Sequence, residues 1–144
     1  MMADNPERDR MTRWLRLIAR IWSAPLIIIV VVMLIGYGWN WVTLGEADPY
    51  AVDDYPIIEA FPPIFMMLSV LALGIAWRWE NWGAAIVLGF QLVTVVLLLI
   101  QRFYVDETFR SAIPFMLSLV IVIPGLLFLA AWLRSRNRYG IGEG

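Results

Sequence analysis

The chain has 144 residues, 61% hydrophobic and 16% charged, with 11 basic against 12 acidic side chains and a formal net charge of −1. Without Cys or His, disulfides, thiolate metal sites, iron–sulfur clusters and His-ligated haem or zinc are excluded, and so apolar a composition leaves no room for a sizeable water-soluble domain. One membrane domain, 1–144, remains, for which neither a cofactor nor a nucleic-acid partner is expected.

Residues 1–12 are polar and are expected to form a flexible tail. From Arg13 to Trp22 the bases Arg13, Arg16 and Arg20 recur at helical spacing opposite Leu15, Ile18 and Trp22. This predicts a short amphipathic N-terminal helix along the cytoplasmic interface, more an anchor for the first span than a docking or lipid-sensing device. Pro25 is expected either to break the chain between this helix and the next or to occupy the first turn of the next.

Four runs lack any charged side chain: Ile21–Val42, Phe61–Trp77, Trp82–Ile100 and Ser111–Leu133. About 20 helical residues cross a hydrocarbon core roughly 30 Å thick, so spans are placed at about 21–42, 61–79, 82–100 and 111–133. The fold predicted is an all-α membrane protein, an antiparallel bundle of four transmembrane helices. Arg8, Arg10, Arg13, Arg16, Arg20, Arg78, Arg134, Arg136 and Arg138 fall on one side of it, and only Arg102 and Arg110 on the other. The bias puts both termini in the cytoplasm. Every base is Arg, which suggests a GC-rich or thermophilic bacterial genome, so the membrane expected is a bacterial plasma membrane; span 1 is too long for a cleaved signal and is expected to stay in the mature chain.

Span 1 closes in Gly36-Tyr37-Gly38-Trp39-Asn40-Trp41, an aromatic belt. The external acidic loop 43–60 is expected to be extended. Asp48, Tyr50, Asp53, Asp54 and Tyr55 make it a candidate docking loop, with a solvated linker an equal reading and a divalent-cation site on the three aspartates the weaker one, since their spacing matches no dedicated loop. Pro62-Pro63 open span 2, where a helix tolerates missing amides. Its end, Trp77 and Arg78, leads into a turn Trp79-Glu80-Asn81 with Asn81 as N-cap, so spans 2 and 3 form a hairpin. Trp77, Arg78, Trp79 and Trp82 are read as interface anchors rather than a recognition surface.

Within span 3, Gln91 lies about 13 Å from the start, near the midplane. An amide in hydrocarbon must face another helix, so Gln91, Thr94 and Ser118 are the candidate interhelical polar contacts. Ala85 with Gly89, and Ala72 with Ala76, are small-residue pairs suited to close helix packing, within the chain or against another. In span 4, Pro124-Gly125 removes the donor for the Val120 carbonyl and predicts a structural kink. Spans 2 and 4 share Pro, Phe-Met, Leu-Ser and Ala-Trp in order, which is read as convergent use of membrane residues rather than as duplication of a two-helix unit.

Two segments, Ala76-Trp77-Arg78-Trp79-Glu80 followed by Gly83, and Pro124-Gly125-Leu126-Leu127-Phe128-Leu129 followed by Trp132, resemble a group of short bacterial membrane proteins described as a domain of unknown function. The resemblance implies four transmembrane helices and brings no activity, ligand or catalytic residue. Where the group has Gly-Gly, this chain has Gly83-Ala84, and its acidic loop is longer.

With no charged side chain inside the four apolar runs, a non-catalytic accessory or scaffold protein fits best, in contact with lipids and with another membrane protein or a second copy. The alternative is a small oligomeric channel or transporter with a neutral pathway around Gln91. A membrane enzyme comes third, because Asp48, Asp53 and Asp54 have no base or nucleophile beside them.

Overall fold

The computed structural model describes residues 6–46, 57–104 and 113–136. They form four helices: α1 Pro6–Leu44, α2 Ile57–Ala76, α3 Glu80–Tyr104 and α4 Ile113–Arg136. Each neighbour in sequence is a neighbour in space. α2 packs most extensively on α3, α3 on α4, and α1 closes the ring against α4 and α2; α2 also touches α4 across the middle. Three helices are long and apolar enough to cross a membrane, whereas the apolar part of α2 is the shorter Ala60–Ala76.

The first departure from expectation is α1. It is one helix of 39 residues with Pro25 inside it, not a flat helix joined to an upright one, and it already includes Pro6 to Thr12 of the expected tail. Proline removes only its own amide donor, so a helix that is otherwise well supported can run through it. At 1.5 Å per residue α1 is about 58 Å long, roughly twice the hydrocarbon thickness. Its other end is cleanly stopped. Gly45 adopts φ +80 and its amide donates to the Trp41 carbonyl at 3.1 Å, the left-handed glycine that closes a helix.

α2 likewise starts earlier than expected, at Ile57, which leaves Pro62 and Pro63 inside the helix rather than in its first turn. The turn after it is also displaced by a residue or two. Trp77 to Trp79 make the reversal, with Arg78 and Trp79 amides both donating to the Ile75 carbonyl at 3.0 and 2.9 Å. α3 therefore begins at Glu80, and Asn81 lies in its first turn instead of capping it. The Glu80 carboxylate sits where the helix dipole favours negative charge.

The core holds Ala19 and Val30 of α1, Val70, Leu73 and Ala76 of α2, Ala84 and Val87 of α3, and Ile121 and Phe128 of α4. Ala72 and Ala76 are buried in this packing, but Ala85 and Gly89 are exposed, and a Cβ built on Gly89 meets nothing within 4 Å. Among the described residues the second pair is thus no helix contact; the apposed face of α3 is the one carrying Gly83, Ala84 and Val87. Two glycines do mark close approaches. A Cβ on Gly83 would collide with the backbone of Ala76, and one on Gly125 would lie 2.9 Å from Val87 Cγ1.

Candidate functional site

Two groups of polar side chains join helices of the bundle. One is internal. Gln91 and Ser118, 2% exposed each, meet between α3 and α4, where the Ser118 hydroxyl donates to the Gln91 Oε1 at 2.5 Å. Gln91 Nε2 has no hydrogen-bond partner among the described residues. Thr94, although buried, bonds no second helix: its hydroxyl donates to the Phe90 carbonyl of its own helix at 2.9 Å. Threonine one turn below a carbonyl can satisfy itself in this way, so burial alone did not require an interhelical partner.

Nearby, the break at Pro124 is filled from outside the helix. α4 continues through it as a single helix, and the Val120 carbonyl that Pro124 leaves without a donor accepts the Trp22 indole N–H at 3.2 Å. A carbonyl stranded in hydrocarbon is costly, and α1 supplies the missing donor.

The second collection lies at the end of the bundle formed by the first half of α1, the α2–α3 turn and the end of α4. Arg16 pairs with Glu80: its Nη2 donates to Oε2 at 3.1 Å, while Nε lies 2.6 Å from Oε1 without hydrogen-bond alignment. One turn on, Arg20 Nη2 donates to the Trp77 carbonyl at 3.1 Å. The Trp77 indole N–H donates in turn to the buried Ser23 hydroxyl at 2.8 Å, and Ser23 donates to the Arg20 carbonyl at 3.2 Å. Arg16, Arg20 and Ser23 recur every three to four residues on α1 and so share one face. They lock that face to the turn.

Between these elements lies a groove of about 530 Å³. Arg16, Arg20, Arg78 and Glu80 are its lining charges, with Trp79, Trp82 and Trp132 among the other lining residues. Trp79 and Trp82 are 62% and 69% exposed. Arg136 lies over the Trp132 ring, 5.4 Å from its centroid, as a cation on an aromatic face.

Of the residues singled out from sequence, the structure brings Gln91 to Ser118 and gathers Trp77, Arg78, Trp79 and Trp82 at one end. Asp48, Tyr50, Asp53, Asp54 and Tyr55 lie outside the described residues. Sequence reasoning missed Arg16–Glu80, the Trp77–Ser23–Arg20 relay and Trp22 on Val120. The only local signal was Glu80, the single acid between Glu59 and Asp106. Among the described residues no group of three metal-ligating side chains stands together.

Apolar helices bundled around an apolar core with a few buried polar side chains, and with indoles and guanidiniums at one end, define a membrane-embedded helical protein. The chain belongs to the family described as a domain of unknown function, DUF7670, which matches residues 8–140. No curated protein and no solved structure matches it.

Proposed function

We propose that the protein is a non-catalytic accessory or scaffold subunit, which lays α1 against a larger membrane complex or a second copy of itself. The observation that carries this reading is how little of α1 the bundle covers. Only 17% of its most apolar stretch is buried, against 33% for α3 and 28% for α4. Ile28, Ile29, Val32 and Ile35 are all exposed, and Gly36 and Gly38 beside them have open space where a neighbouring helix can approach closely. The channel alternative draws less support, because the Ser118 hydroxyl is spent on Gln91 in a core closed by Val87, Ile121 and Phe128.

In this reading all four helices cross a bacterial plasma membrane, and both termini are cytoplasmic with the arginine-bearing end. Native mass spectrometry after gentle solubilisation tests it. A second protein or a second copy should travel with the chain, and Gly36→Leu, which adds bulk to the open face without touching the bundle, should strip that mass away. A monomer that carries no other protein in mild detergent would overturn the proposal.

A further inference from the structure

The groove at the arginine-bearing end has more positive charge than the fold uses. Three guanidiniums line it against one carboxylate, a formal +2. Arg16 is matched by Glu80, and Arg20 spends one nitrogen on the Trp77 carbonyl. Arg78 is exposed, and among the described residues its side chain makes no hydrogen bond or ion pair. Neither Arg20 nor Arg78 is paired with a carboxylate among those residues. Concave surfaces of one sign concentrate ions of the other.

We propose that this groove binds the phosphate of an anionic phospholipid, with Arg20 and Arg78 on its oxygens. Three observations favour a lipid as the source of that phosphate. The groove sits where apolar α2 ends, α3 begins and α4 ends, the position at which Trp and Arg meet headgroups in membrane helices. Its walls are exposed indoles, Trp79 and Trp82, whose apolar bodies suit the glycerol and upper acyl chain beside a charged head. The site is also preformed, since the Trp77–Ser23 bond and the Arg16–Glu80 pair hold α1 and the turn at a set distance, which lowers the ordering cost of binding. Guanidinium forks match phosphate oxygens two at a time. The lipid site is separate from the partner surface on α1, which occupies the opposite half of that helix.

The test is a native mass spectrometry titration of the full chain in detergent, with phosphatidylglycerol or phosphatidylcholine as the probe. Phosphatidylglycerol should be held about tenfold more tightly than phosphatidylcholine, since the two differ in net charge. Arg78→Gln and Arg20→Gln should each reduce the hold about tenfold, the scale of one charge-assisted contact. Arg102→Gln, in the last turn of α3 at the other end, should leave it unchanged. Arg78→Gln removes no hydrogen bond or ion pair among the described residues, so its effect separates binding from folding. Equal retention of the two lipids, or an Arg78→Gln variant that holds phosphatidylglycerol like the parent, would overturn the proposal. So would displacement of the lipid by inorganic phosphate at equal concentration, which would make the groove a free-anion site.

Discussion

At the scale of single residues, the bundle is held by polar bonds that replace one another's missing partners. Pro124 has no amide to offer Val120, and the Trp22 indole on α1 takes that role at 3.2 Å. The two residues should therefore be energetically coupled. Trp22→Phe keeps an aromatic ring but removes the donor, and should cost about 1 kcal/mol, the usual net worth of such a bond. In a Pro124→Ala background the helix regains its own donor to Val120, and the same Trp22→Phe change should cost markedly less. Unfolding of the four variants in mixed micelles measures the cycle. Strictly additive losses would mean that Trp22 contributes only packing. The Arg16–Glu80 pair is of a different kind, since its carboxylate lies at the first residue of α3 and gains from the helix end as well as from the guanidinium.

At the scale of elements, the tightest constraint is the α2–α3 hairpin, where Gly83 lets its backbone lie directly on Ala76. Gly83→Ala would drive a methyl group into the Ala76 backbone and should lower stability by roughly 3 kcal/mol or more, a loss of the size seen for overpacked cores. Gly89→Ala, on the open face of the same helix, should instead raise it by up to about 1 kcal/mol through helix propensity. Thermal unfolding of both variants in detergent reads the contrast; a loss at Gly89 would show that another chain packs there. The elements themselves were legible in the sequence because long uncharged apolar runs admit little but helix in a membrane. That Gln91 needs a polar neighbour followed from the same argument, and Ser118 is that neighbour. What was not legible is how α1 turns and slides against the rest. Arg16 and Glu80 are 64 residues apart, and only tertiary packing sets which arginine of the stripe arrives level with the turn. The continuity of α1 was missed because a proline reads locally as a break, whereas its actual cost is one hydrogen bond in a helix that gains many. The gap at Ala85 and Gly89 has a similar cause, as small residues mark where a backbone can be approached, not whether anything approaches it.

At the scale of the whole molecule, Arg16, Trp79 and Trp132 line one groove, so the first half of α1, the α2–α3 turn and the end of α4 share one end of the bundle. The end of α1 and the end of α3 must then lie at the other. For this arrangement to sit across a bilayer α2 has to cross as well, although its apolar part, Ala60–Ala76, is the shortest of the four. Its full 20 residues reach about 30 Å, enough for one crossing. The absence of native cysteine makes this directly measurable with single-cysteine variants and a membrane-impermeant maleimide. In intact cells Glu46→Cys and Phe103→Cys should label, while Met11→Cys, Trp79→Cys and Arg136→Cys should label only in inverted vesicles, as the concentration of arginine at their end requires. If Trp79→Cys instead labelled from the same side as Glu46→Cys, α2 would enter and leave by one face, and the Arg16–Glu80 pair that joins α1 to the turn could not form in the membrane.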